Sequence, residues 1–164
     1  MALHRTRLGT YLNDHLAAAT AGQELAKRAA GANEGTPYGD FLAGLAGEVA
    51  EDRETLRAVI RAVGVREDPL KKAAGWAGEK LGRLKPNGQL TGYSPLSRVV
   101  ELEGLGVVAA YNRSLWASLD AVRADDDRLA AFDLAELQAR AERQLAGLEE
   151  QRVRAAIPAL TDAA

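Results

Sequence analysis

With 164 residues and a formal net charge of −2, the chain has the length of one domain and lacks the basic excess that draws proteins to nucleic acid or anionic lipid. It contains no cysteine, which excludes disulfides, thiolate metal sites and thiol nucleophiles and suits a reducing cytoplasm. No segment reaches the roughly 20 apolar residues of a membrane span, and residues 1–8 carry arginines without a signal-peptide core, so a cytoplasmic protein is expected.

The first helix is expected over residues 8–30, with Gly31 as its stop. Its interior stripe at three- and four-residue spacing reads Leu8, Tyr11, Leu12, His15, Ala18, Ala19, Gly22, Leu25, Ala26 and Ala29. The small residues after His15 permit either a cavity or a close helix approach. Thr36-Pro37 then marks a second start, because proline at the first helical position loses no intrahelical bond and the preceding hydroxyl can cap. That helix is predicted over 37–63, closed by Gly64, with Tyr38, Phe41, Leu42, Leu45, Val49, Asp52, Leu56, Val59, Ile60 and Val63 inward.

Roughly thirty residues follow before the next long helix, enough to travel the length of a bundle. Asp68-Pro69 predicts a short extra helix over 69–84 in this crossover. Its apolar stripe is Leu70, Ala73, Ala77, Leu81 and Leu84, and opposite lie Lys71, Lys72, Lys80, Arg83 and Lys85, with Trp76 nearby. Ser94-Pro95 opens the third helix, predicted over 95–122. One stripe there is Leu105, Val108, Asn112, Leu115, Leu119 and Val122; a second is Leu96, Val99, Val100, Glu103, Val107 and Ala110. A helix apolar on two sides needs cover on both, so the crossover helix packs on the second face, or a second copy does in a homodimer built on helix 3. The fourth helix, 134–157, starts with a capping box of Asp133 and Glu136 and a staple of Phe132 and Leu137; Pro158 is its expected stop. Inward positions are Leu134, Leu137, Ala141, Leu145, Leu148, Arg152 and Ala155.

The short connections after the first and third helices predict two hairpins, and the long one between them a crossover. The fold class is therefore all-α: one domain over residues 1–164, an antiparallel four-helix bundle with a long helix 2–helix 3 crossover, its ends (1–7 and 158–164) flexible. At about 1.5 Å per residue, His15 and Asp52 fall at nearly one height, with Asn112, Arg113, Glu142 and Gln144 near that level. A carboxylate buried in an apolar bundle needs a partner, so His15 and Asp52 are expected to meet in the interior. A hydrogen bond that fixes helix register is the simplest use of the pair; a ligand or metal site is the second. The same height argument points Arg152 at Glu101.

The stretch from Phe41 to Leu56, FLAGLAGEVAEDRETL, resembles the second helix of ferritin-like proteins, and Arg140 to Arg152, RAERQLAGLEEQR, is placed like their fourth. The topology and helix lengths extend that resemblance over most of the chain, closest to small ferritin-like proteins of bacteria. The family's di-iron site implies a Glu from each of two helices and a Glu-x-x-His from the other two. Here Glu48 is followed at that offset by Glu51, and Glu142 and Glu149 by Leu145 and Arg152; the only histidines are His4 and His15. No conventional di-iron site and no cofactor are therefore expected. The leading functional expectation is a non-catalytic ferritin-like bundle that binds a protein partner or a small ligand, with His15, Asp52, Asn112 and Arg113 as the interior polar group. An alternative is a degenerate iron or manganese site from His15, Glu48, Asp52 and Glu142. A third is a peripheral membrane or stress-associated structural protein that uses the basic crossover helix.

Overall fold

The computed structural model describes residues 3–68 and 93–161. Within them are four long helices: α1 (Arg5–Ala32), α2 (Gly39–Ala62), α3 (Pro95–Ala121) and α4 (Leu134–Leu160). Two short 3₁₀ turns, Arg123–Asp125 and Asp127–Ala131, link α3 to α4, and no strand occurs among the described residues. None of these helices is long and apolar enough to cross a membrane. The predicted crossover helix, from Pro69 onward with its lysines, lies outside the described residues.

The predicted caps hold at α3 and α4. Ser94 Oγ accepts from the Ser97 amide at 3.0 Å, and Asp133 Oδ1 accepts from the Glu136 amide at 3.0 Å. Glu136 does not reach back to complete the box; it pairs with Arg143 at 2.6 Å. At α2 the Thr36-Pro37 start is displaced by two residues. Thr36 Oγ1 donates to the Asn33 carbonyl at 2.7 Å and accepts from the Tyr38 amide at 3.3 Å, so the pair forms a turn ahead of the helix. Gly39 is required there, since a Cβ would lie 2.7 Å from the Asn33 carbonyl oxygen. Gly64 closes α2 at φ +71°, with the Val65 amide bonding to the Ile60 carbonyl in a Schellman arrangement.

Two expected stops are passed. α1 runs beyond Gly31 because Asn33 closes it instead, its side chain donating to the Ala29 carbonyl at 2.8 Å. α4 runs through Pro158 to Leu160. Proline there frees one carbonyl on an exposed last turn, where water can satisfy it.

Contacts order the helices. Asn13 near the start of α1 bonds to the Arg66 carbonyl just after α2, and Thr20 lies against Arg53. Along α1 and α3, His15 meets Tyr111, the Gly22 position faces Val108, and Arg28 meets Glu101. Along α2 and α4, Phe41 meets Gly147, Glu48 meets Gln144 and Glu51 meets Arg140. A Cβ on Gly22 would sit 2.6 Å from Val108 Cγ1, so this small residue serves a close approach of α1 to α3 and leaves no cavity.

The core falls into two apolar clusters. One gathers Leu12, Leu16, Leu56, Ile60, Leu115, Trp116, Leu119 and Leu134; the other Ala26, Leu42, Leu45, Val49, Leu102, Leu105 and Leu148. Buried polar residues interrupt these apolar stripes: Asp52 on α2, Asn112 on α3 and Gln144 on α4. Gln144 takes the seam position expected for Leu145, and Arg152 is not among the buried residues.

Candidate functional site

The mid-bundle polar layer is built from α2 and α4. Asp52, 2% exposed, stands between Val49 and Leu56 on the inward stripe of α2. Its Oδ2 accepts from Gln144 Nε2 at 3.0 Å, and its Oδ1 forms an ion pair with Arg140 Nη2 at 2.5 Å. Gln144 Nε2 donates to Glu48 Oε2 as well, at 3.0 Å, so one amide bridges an interior carboxylate and one at the rim. Arg140 in turn donates to Glu51 Oε2 at 2.9 Å. Burial pushes the Asp52 carboxyl above its ordinary range, with Glu48 adding to the effect, while the bonds from Gln144 and Arg140 oppose it. Gln144 Oε1 and Arg140 Nε are buried without hydrogen-bond partners.

His15 is placed elsewhere. Its ring, 1% exposed, stacks on Tyr111 with centroids 3.7 Å apart and planes at 14°, and Tyr11 meets it edge-on at 4.5 Å. Burial drives its pKa down to about 4 despite the nearby Asp14 charge, so it is a neutral imidazole at neutral pH, and its Nδ1 has no partner. No hydrogen bond joins His15 to Asp52 among the described residues. Equal height does not fix direction around the axis: the histidine faces α3, and the aspartate faces α4.

The other predicted members divide in the same way. Asn112 is buried on α3, but Arg113, one residue and about 100° further round, is exposed. Glu142 is exposed on α4, while Glu48 sits at the rim and joins the layer only through Gln144. No three His, Asp or Glu side chains among the described residues are grouped to hold a metal ion, so the suggested set of His15, Glu48, Asp52 and Glu142 does not converge. Arg140 and Gln144 are the members that the inward stripes did not supply. For Gln144 the signal was the continuing alternation of three and four from Leu137 and Ala141, which leads to 144 and not to 145.

Beside this layer a cleft of about 320 Å³ opens between α2 and α4, walled by Phe41, Gly44, Leu45, Glu48 and Gln144, with Asp40 and Arg143 at its edge. It offers two carboxylates, an amide and an apolar wall. It holds no Ser, His or Cys nucleophile.

A second polar cluster ties the opposite end of the bundle. Asn33 donates to the Ala29 carbonyl and to Tyr93 Oη at 2.9 Å, and its Oδ1 accepts from Arg98 Nε at 2.5 Å. Tyr93 Oη donates to Glu101 Oε2 at 2.9 Å, and Glu101 Oε1 accepts from Arg28 Nε at 3.0 Å. The Tyr93 hydroxyl is pushed up to about 12, chiefly by burial, with the neighbouring Glu101 charge assisting. Arg98 and Arg154 lie 4.4 and 5.3 Å from the Tyr38 ring centroid. Glu101 therefore takes Arg28 as its partner, whereas Arg152, predicted to reach it, pairs with Glu149 at 2.7 Å and lies 3.9 Å from Glu103.

Comparisons with protein-family models, curated proteins and solved structures gave no match.

Proposed function

We propose that the chain is a non-catalytic bundle of the ferritin-like type, its helices antiparallel, that binds a small ligand in the cleft between α2 and α4. The opposed order of contacts along α1 and α2, α1 and α3, and α2 and α4 supports that arrangement. The observation that carries the ligand reading is Gln144. It is 3% exposed, bonds to both Glu48 and Asp52, keeps an unpartnered Oε1, and forms part of the wall of an open cleft. Buried polar atoms are almost always satisfied, so an amide oxygen left unmatched on a residue that walls a cleft is where a ligand would add most. A cysteine-free composition suits a cytoplasmic setting for this role. An iron or manganese site is the less supported alternative, because His15 and Asp52 face different neighbours.

Gly44 supplies the test. A Cβ there meets nothing within 4 Å, so Gly44→Leu places its side chain in the cleft without disturbing its neighbours. Thermal unfolding is measured with panels of small cations, anions and neutral amides. One class should raise the Tm of the native chain by several degrees and leave Gly44→Leu unmoved. No shift with any class, or equal shifts in both proteins, would overturn the reading.

A further inference from the structure

We propose that the outer face of α3 and α4 is the interface of a two-fold symmetric dimer, with Val107 of each copy seated in the other copy's groove between these helices. The face is apolar where a lone bundle has no use for it. Val107 is 70% exposed, and Val100, Val153, Ile157 and Leu160 are exposed with it. On α3 the stripe steps from 100 to 107, and on α4 from 153 to 157 and 160, so each helix presents its apolar residues on one side.

Next to this ridge lies a groove of about 590 Å³ whose floor and walls are mostly small or apolar: Gly106, Ala110, Leu145 and Ala146 among them. A Cβ on Gly106 meets nothing within 4 Å, so there is open space beside the projecting Val107. A ridge and a hollow on the same face are what an isologous contact needs, because a two-fold axis sets each against its counterpart.

The charges agree with a second copy. Glu103 and Glu149 border the groove together with Arg152, which bonds to Glu149 at 2.8 and 2.7 Å and lies 3.9 Å from Glu103. Both signs at its edge let a two-fold axis set Arg152 of one copy against Glu103 of the other, whereas a single-sign face would repel its copy. The area is sufficient too. Two helices of 27 residues span about 40 Å, and a strip of that length two helices wide gives roughly 800 Å² per partner, the ordinary size of a stable interface. This interface is separate from the cleft between α2 and α4, so either proposal can fail without the other.

The test is sedimentation velocity of the full chain over about 1–100 µM, a range that brackets the micromolar affinity ordinary for such an interface. The native protein should sediment as a dimer. Val107→Glu removes the ridge and Gly106→Leu fills the hollow, and each should weaken association about a hundredfold. Neither should lower the unfolding temperature of the monomer, since Val107 is exposed and the Gly106 site is open. A monomeric native chain at the highest concentration would overturn the proposal. So would a dimer that survives both variants, which would place the contact elsewhere. A monomer whose Val107 methyl groups are shielded from a soluble paramagnetic probe would assign the face to residues 69–92 of the same chain instead.

Discussion

The two buried polar clusters use similar residues and reach opposite outcomes. At the end of the bundle, every polar atom of the Asn33 side chain, the Tyr93 hydroxyl and the Glu101 carboxylate has a partner. In the middle, Gln144 Oε1 and Arg140 Nε are buried with none among the described residues. A satisfied buried network locks helices together, because breaking it strands several groups at once. An unsatisfied one gives up stability and leaves bonding capacity. The first cluster is therefore a clamp, and the second is where a binding function has room.

The largest effect should come from the clamp. Asn33→Ala would remove three bonds at once, the charge-assisted one from Arg98 Nε, the one to Tyr93 Oη and the cap on the Ala29 carbonyl, at a cost of about 4 kcal/mol. For a chain of this length that lowers the Tm by about 10 °C or more. Calorimetry decides it: a loss of only one or two degrees would mean that the cluster is no more rigid than the mid-bundle layer.

His15 gives a comparable effect that depends on pH. Its folded pKa of about 4 lies below the ordinary 6.5, so between these values the unfolded chain binds the proton and the native state refuses it. Stability should be full above pH 6.5, fall as pH drops toward 4, and level off below. The total is about 3 kcal/mol. His15→Phe keeps a ring against Tyr111 and Tyr11 and should erase this window, so the difference between the two stability profiles isolates the histidine. Parallel profiles would show that the imidazole is hydrated in solution and not sealed in the stack.

The sequence made the scaffold legible and the site only half so. Inward stripes, capping residues and loop lengths are local patterns, and they located all four helices to within three residues at each end. Asp52 and Asn112 were visible as polar breaks in apolar stripes. Gln144 was obscured because Leu145 beside it is the more apolar choice, although strict alternation from Ala141 passes through 144. The pairing of His15 with Asp52 was inferred from height alone. A stripe gives height along the axis and a rough facing, but side-chain direction across a bundle depends on which neighbour has space, and Tyr111 offered His15 a stacking surface. The clamp left no local signal at all, because Asn33 and Tyr93 sit outside the helices and meet across 60 residues of sequence.

Asp52 carries the smallest effect, and its sign is the sharpest check on the contrast. Because its folded pKa is raised, the native state holds the proton more tightly than the unfolded chain does. The stability due to this group is greatest at low pH and is lost as pH rises through the folded value, so at neutral pH the buried carboxylate is a net cost. Asp52→Asn keeps an oxygen to accept from Gln144 Nε2, and Arg140 keeps Glu51 at 2.9 Å. The variant should therefore gain about 1 kcal/mol at neutral pH, because the uncharged amide escapes the burial penalty while Arg140 stays paired with Glu51, and its Tm should rise by about 3 °C. That gain should vanish under acid conditions, where the native carboxyl is already protonated. A loss of several degrees at neutral pH would instead show that the ion pair with Arg140 outweighs the burial penalty. The middle of the bundle would then be a second clamp, and the case for a ligand beside it would weaken accordingly.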